Sequence, residues 1–105
     1  MGNRWYLGPV LCLALGAGCA SHTALSEQAR ESHAAIARAV DAGAEEHAPR
    51  ELALAREKIL LGERWIAAGD YRPAGWLVEQ ARVDAELAAA KAAAANARKR
   101  GGLSR

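Results

Sequence analysis

Polar and apolar residues recur along most of this chain with a spacing of three and four, the repeat of an amphipathic helix. Leu25, Ala29, Ile36 and Val40 fall on one stripe and predict a first helix over 26–42. Ser26 is placed to cap it, Glu27 to sit at the positive end of its dipole, and Gly43 to end it. Leu52, Ala55, Ile59, Gly62 and Ile66 share one face and predict a second helix over 49–68, with Leu54, Leu61 and Trp65 as an adjoining stripe. Pro49 suits a first helical turn, where its missing N–H has no intrahelical partner. In "AAGD", Gly69 supplies a left-handed exit and Asp70 a cap for a third helix over 71–100. Pro73 is tolerated in its first turn. Its inward face carries Leu77, Ala81 and Ala88, then dissolves into "AELAAAKAAAANARKR". Gly101-Gly102 is expected to stop it, leaving 101–105 as a disordered tail. No period-two alternation appears. The pattern predicts an all-α fold: an elongated three-helix bundle over 26–100, built on a long αα-hairpin.

The turn at Gly69-Asp70 sets a register. Residues whose numbers sum to about 141 lie at one level, so Trp65 meets the level of Trp76 and Gly62 that of Glu79. Trp65, Tyr71 and Trp76 are expected to form an aromatic clamp closing the hairpin tip, or else an exposed patch for a ligand. At ~1.5 Å per residue the third helix spans ~45 Å against ~30 Å for the second. Its distal end should overhang the bundle or meet something else.

The start of the chain follows different rules. Arg4 is the only charge before Glu27, and "YLGPVLCLALGAG" is a short apolar run broken by Gly8-Pro9. Crossing a bilayer takes ~20 such residues, so this is not a spanning helix. A short basic region, an apolar stretch and small residues before a cut describe a secretory signal, with an ordinary cut after Ala20 as one version. "GAGC", Gly16 to Cys19, resembles the bacterial lipobox, which implies a diacylglyceryl group on Cys19 and cleavage before it. On that reading 1–18 is a lipoprotein signal peptide and 19–25 a lipidated spacer. Gly16 stands where the lipobox prefers leucine. Cys12 would leave with the signal. It lies seven residues from Cys19, ~10 Å along a helix, too far for a disulfide. Ala20, rather than Asp, follows the cysteine, which by the same resemblance implies an outer-membrane anchor facing the periplasm.

Composition narrows the rest. Of 105 residues about a quarter are alanine, Phe is absent and aromatics are 5%, so large core-forming side chains are scarce. The net charge of +2 does not point to nucleic acid. The main cation cluster is Arg98, Lys99 and Arg100, with the rest of the body slightly acidic. It suits contact with anionic lipid or cell-wall polymer, and equally compensates the helix's negative end.

Ala48-Pro49-Arg50-Glu51-Leu52, Gly69-Asp70-Tyr71 and Glu79-Gln80-Ala81-Arg82-Val83-Asp84-Ala85-Glu86-Leu87-Ala88 together resemble the bacterial envelope family called domain of unknown function 4398. Trp76 departs from the smaller aliphatic residue expected there. The resemblance implies a helical fold and an envelope location, often as a short lipoprotein, and transfers no chemistry.

His22, His33 and His47 lack metal-ligand spacing, and "EEH" at 45–47 reads as a solvated loop. Glu79, Asp84 and Glu86 sit amid polar helical surface rather than in a desolvated pocket of the kind acid–base work needs. No phosphate loop or nucleophile elbow occurs. The sequence predicts no enzyme, no cofactor and no metal. It predicts a membrane-tethered structural or adaptor protein acting on an envelope protein, the cell wall or a second copy of itself. A peptide- or glycan-binding module using Trp65, Tyr71 and Trp76 is the alternative.

Overall fold

A long helix lined with alanine organises the bundle. The computed structural model describes residues 22–103, and within them the chain forms α1 (His22–Asp41), α2 (Ala44–His47), α3 (Pro49–Ala68) and α4 (Tyr71–Leu103). Residues 1–21, where the signal peptide over 1–18, Cys12 and the lipidated Cys19 are expected, lie outside the described residues, as do residues 104–105. On α4, Ala74, Val78, Ala81, Ala85, Ala88 and Ala92 follow one another at spacings of four and three, and all are buried. That is the seam spacing of packed helices, and methyl-sized side chains allow short interaxial distances. Facing it, α3 buries Leu52, Ala55, Ile59, Gly62 and Ile66, the stripe its periodicity predicts.

The α3–α4 hairpin closes as expected. Gly69 adopts φ 80°. Its N–H donates to the Ile66 carbonyl at 3.0 Å and that of Asp70 to the Trp65 carbonyl at 3.0 Å, the paired bonds of a Schellman turn. The predicted register holds within a residue or two. A Cβ at Gly62 would lie 3.0 Å from Val78 Cγ2 and 3.4 Å from the Val78 backbone nitrogen. Farther down, Lys58 pairs with Asp84 and Lys91 with Glu51. Gly62 is thus a point of close approach between the two helices.

α1 lies in one groove of the hairpin, parallel to α4 and antiparallel to α3. Leu25, Ala29, Ala35, Ile36 and Ala39 are buried there, while Val40 is only partly covered. Ser32 is buried too, and its Oγ donates to the Val78 carbonyl at 2.8 Å, a bond between α1 and α4 that keeps a polar side chain in the core satisfied. At the far end Asn96 Nδ2 donates to the Ala42 carbonyl at 2.9 Å, satisfying an orphan group at the C-terminus of α1.

The boundaries depart from expectation in four places. α1 starts at His22, so Ser26 is inside the helix rather than its cap, with Oγ 3.4 Å from His22 Nδ1, and residues 22–25 are helix rather than spacer. Residues 45–47, read as loop, belong to α2, which begins after Gly43 turns the chain at φ 95°. Gly101 and Gly102 do not stop α4, which continues to Leu103. Both glycines have open surroundings, and helical hydrogen bonding tolerates glycine at a cost of about 1 kcal/mol each. Finally, α4 overhangs less than its length suggests, because the α1–α3 connection wraps that end as far as Asn96.

The close approach at Gly62 generates a stability contrast. Replacing Gly62 by valine drives a branched side chain into Val78 and the α4 backbone, an overpacking that costs about 1–3 kcal/mol. Replacing Gly101 by alanine meets nothing and gains up to about 1 kcal/mol of helix propensity. Thermal melts followed by circular dichroism should fall for the first and hold or rise for the second. Equal behaviour would remove Gly62 as the point of contact.

Candidate functional surfaces

Among the described residues three surfaces stand out after the core is closed, with an open depression beside the first. The first is the hairpin tip. The expected clamp does not form there. Trp65 is 38% and Trp76 62% exposed, while Tyr71 is half-buried. Tyr71 instead meets His22 edge to face, with ring centroids 6.3 Å apart. The physical reason is rotational: five residues separate Tyr71 from Trp76, which turns their side chains well apart around α4, toward α1 and away from it. Leu25 takes the place of an aromatic core, its Cδ2 3.5 Å from where a Cβ on Gly75 would stand. The first described residues of α1 therefore lie beside the tip.

Next to it, α1 and α3 leave an open depression of about 440 Å³ lined by His22, Ser26, Arg30, His33, Glu63 and Ile66, among others. His33 Nε2 lies 2.9 Å from Glu63 Oε1 across its rim. Sequence reasoning did not find this depression, since its residues come from two helices with no shared motif. Among the described residues no three histidine, cysteine, aspartate or glutamate side chains gather closely enough to hold a metal ion. Also among them, no helix is long and apolar enough to cross a membrane.

The second surface is the distal end of α4, where Arg98, Lys99 and Arg100 are exposed. It lies opposite the tip, about 40 Å away along α4. The cations and the aromatic residues named from the sequence are thus at different ends and form no common site.

The third surface is the hairpin face turned away from α1. Leu54, Leu61 and Trp65 on α3 and Trp76, Val83 and Leu87 on α4 are exposed along it. Two cross-helix ion pairs run between these rows. Lys58 Nζ is 2.7 Å from Asp84 Oδ2, a buried oxygen with no hydrogen-bond partner beyond this ion contact, and Lys91 bonds Glu51. The hydrogen bond from Lys91 holds the Glu51 carboxyl below the usual glutamate range. Glu79 and Glu86 are taken up by Arg82 on the same helix, and the Glu79 contact first, then Glu86, raises the guanidinium further. The three carboxylates considered for chemistry are therefore all engaged in ion pairs.

By fold the protein is an up-down-up α-helical bundle with an extended third long helix. It belongs to the family described as Domain of unknown function (DUF4398), whose model matches residues 27–101. Comparison with curated proteins and with solved structures returned no match.

The Glu51–Lys91 pair carries a pH signature. A carboxyl held low contributes stability above the unfolded pKa of glutamate and loses it as pH falls through the lower folded value. The Glu51 side-chain carbon, followed by NMR, should titrate below free glutamate, and Lys91→Met should return it upward while making the protein less resistant to acid. An unchanged midpoint in Lys91→Met would rule the pair out as the cause.

Proposed function

We propose that this protein is a lipid-anchored helical adaptor of the bacterial cell envelope, held at the outer membrane through acyl chains on Cys19 and facing the periplasm. The observation that carries this reading is the lipobox-like Gly16-Ala17-Gly18-Cys19 after a short apolar run, and His22 beside the hairpin tip says where such an anchor would join the bundle. Cys19 lies three chain steps before His22, a reach of at most about 11 Å. An anchor on Cys19 therefore attaches at one end of the bundle and leaves its length free to project. Each buried CH₂ contributes about 0.8 kcal/mol, and two or more acyl chains give stable attachment where one is marginal.

The work of such a molecule is positional. In a bundle standing on its tip, Arg98, Lys99 and Arg100 are held about 40 Å from the anchor. They face the cell-wall side rather than the bilayer that carries the chain. The reading assigns no catalysis and no cofactor. The exposure of Trp76 favours a second reading, in which the tip stacks a peptide or sugar ring. Tryptophan emission that shifts on adding soluble peptidoglycan fragments, and does so less in Trp76→Ala, would support it.

The anchor is tested by metabolic labelling with a fatty acid followed by envelope fractionation. The native chain should carry label, begin at Cys19 and sediment with outer membrane. Cys19→Ser should lose the label. Label retained on Cys19→Ser, or native protein with its first eighteen residues intact, would overturn the reading.

A further inference from the structure

We propose that the hairpin face turned away from α1 is a self-association surface, on which a second copy of this chain packs to form a four-helix core of two α3–α4 hairpins. On α3 the face is Leu54, Lys58, Leu61 and Trp65; on α4 it is Trp76, Gln80, Val83 and Leu87. Both rows run four, three, four, the repeat of a helix seam meant to be covered. α4 therefore carries two such seams, and α1 and α3 cover only the alanine one.

The two rows also match each other. In the hairpin register Trp65 is level with Trp76, Leu61 with Gln80, Lys58 with Val83, and Leu54 with Leu87. A two-fold axis parallel to the hairpin lays α3 of one copy over α4 of the other, antiparallel and at the same levels. Each layer then repeats across the interface, which is the self-complementarity an isologous contact requires. The ion pairs Lys58–Asp84 and Glu51–Lys91 lie on the floor of the groove, already neutralised within each copy. Covering them buries no unpaired charge.

At their observed exposures the six apolar residues leave on the order of 500 Å² uncovered per copy, so covering them completely in two copies removes on the order of 1,000 Å², and rim atoms bring the total toward the ~1,200 Å² at which specific interfaces begin. A lipid interface is a poorer occupant. The row extends from Trp65 to Leu54, about 16 Å along the helix, whereas the headgroup zone at the tip is about 5–8 Å deep. The choice of axis rests on the anchoring reading: the parallel two-fold puts both N-terminal ends on one side, as a shared membrane requires, and a perpendicular one puts them at opposite ends.

The test uses full-length chains in the native envelope, two differently tagged copies each bearing one introduced cysteine. A thiol oxidant should link Leu54→Cys to Leu87→Cys at least five-fold more than Leu54→Cys to itself. Leu60→Cys, exposed but off this face, should link little. Preferential linking of Leu54→Cys to Trp65→Cys, or linking at Leu60→Cys as strong as on the face, would overturn the arrangement. In detergent, sedimentation should give a dimer for the native chain and a monomer of unchanged helicity for Leu54→Glu/Leu87→Glu; a native monomer would refute pairing. The same cysteine pair in Cys12→Ser/Cys19→Ser chains separates this proposal from the anchor. Links retained there support pairing even where label is lost, and links lost there refute it.

Discussion

Everything in this bundle depends on how closely α3 and α4 approach. A hydrophobic core usually gains its stability from large side chains, yet here the α4 seam is mostly methyl groups, with Ala74, Ala81, Ala85, Ala88 and Ala92 all fully covered. Alanine buries little area per residue, so transfer free energy alone is thin. What compensates is contact density: with a bare Cα at Gly62 against Val78, backbone atoms of the two helices take part in dispersion contacts that bulkier residues would hold apart. Such packing fixes register tightly, since a slip of one residue drives a side chain into the neighbouring backbone. The polar locks respect the same register. Ser32 reaches the Val78 carbonyl beside the close contact at Gly62, and Lys58–Asp84 and Glu51–Lys91 repeat the level match farther down.

This arrangement inverts the usual distribution of size. The small residues of α4 face inward, and several of its largest, Trp76, Val83 and Leu87, face out. An exposed leucine by itself means little, because folded surfaces are largely apolar. Six such residues in two level-matched rows, on the one groove of the hairpin that α1 leaves open, are a patch rather than scatter. The departure of Trp76 from the smaller residue expected at its position belongs to this outward surface.

Much of this was readable in the sequence, for a physical reason. The inward stripe of α3 is visible because Leu52, Ile59 and Ile66 contrast strongly with their polar neighbours, and its boundaries are visible because Pro49 and Gly69 are backbone signals with one meaning each. The seam of α4 was harder to read. Alanine is common on both faces of that helix, so periodicity weakens where the "AELAAAKAAAANARKR" stretch begins. The end signals also failed where they were weakest. Ser26 caps well but also sits well inside a helix, and Gly101-Gly102 ends a helix only if the chain has reason to turn. The aromatic clamp failed because matching levels along a hairpin says nothing about rotation around each helix. Trp65 and Trp76 share a level on the outward face, while Tyr71 turns toward α1 and His22. The depression between α1 and α3 left no trace in the sequence, being made by helices distant in the chain.

The direction of α1 has the largest consequence for function. An up-down hairpin alone brings both of its ends to the same side, so a chain made only of α3 and α4 would return its cations to wherever it began. Adding one long helix before the hairpin makes the count odd and sends the two ends apart. α1 starts at the tip, as the His22–Tyr71 and Leu25–Gly75 contacts require, and α4 finishes about 40 Å away with Arg98, Lys99 and Arg100. The wrapping of Asn96 onto Ala42 braces that far end against α1, so the separation is set by packed helix and not by a flexible linker. The aromatic tip and the cationic end are thus two separate surfaces held at a fixed distance, and that distance follows from the residue count of α4.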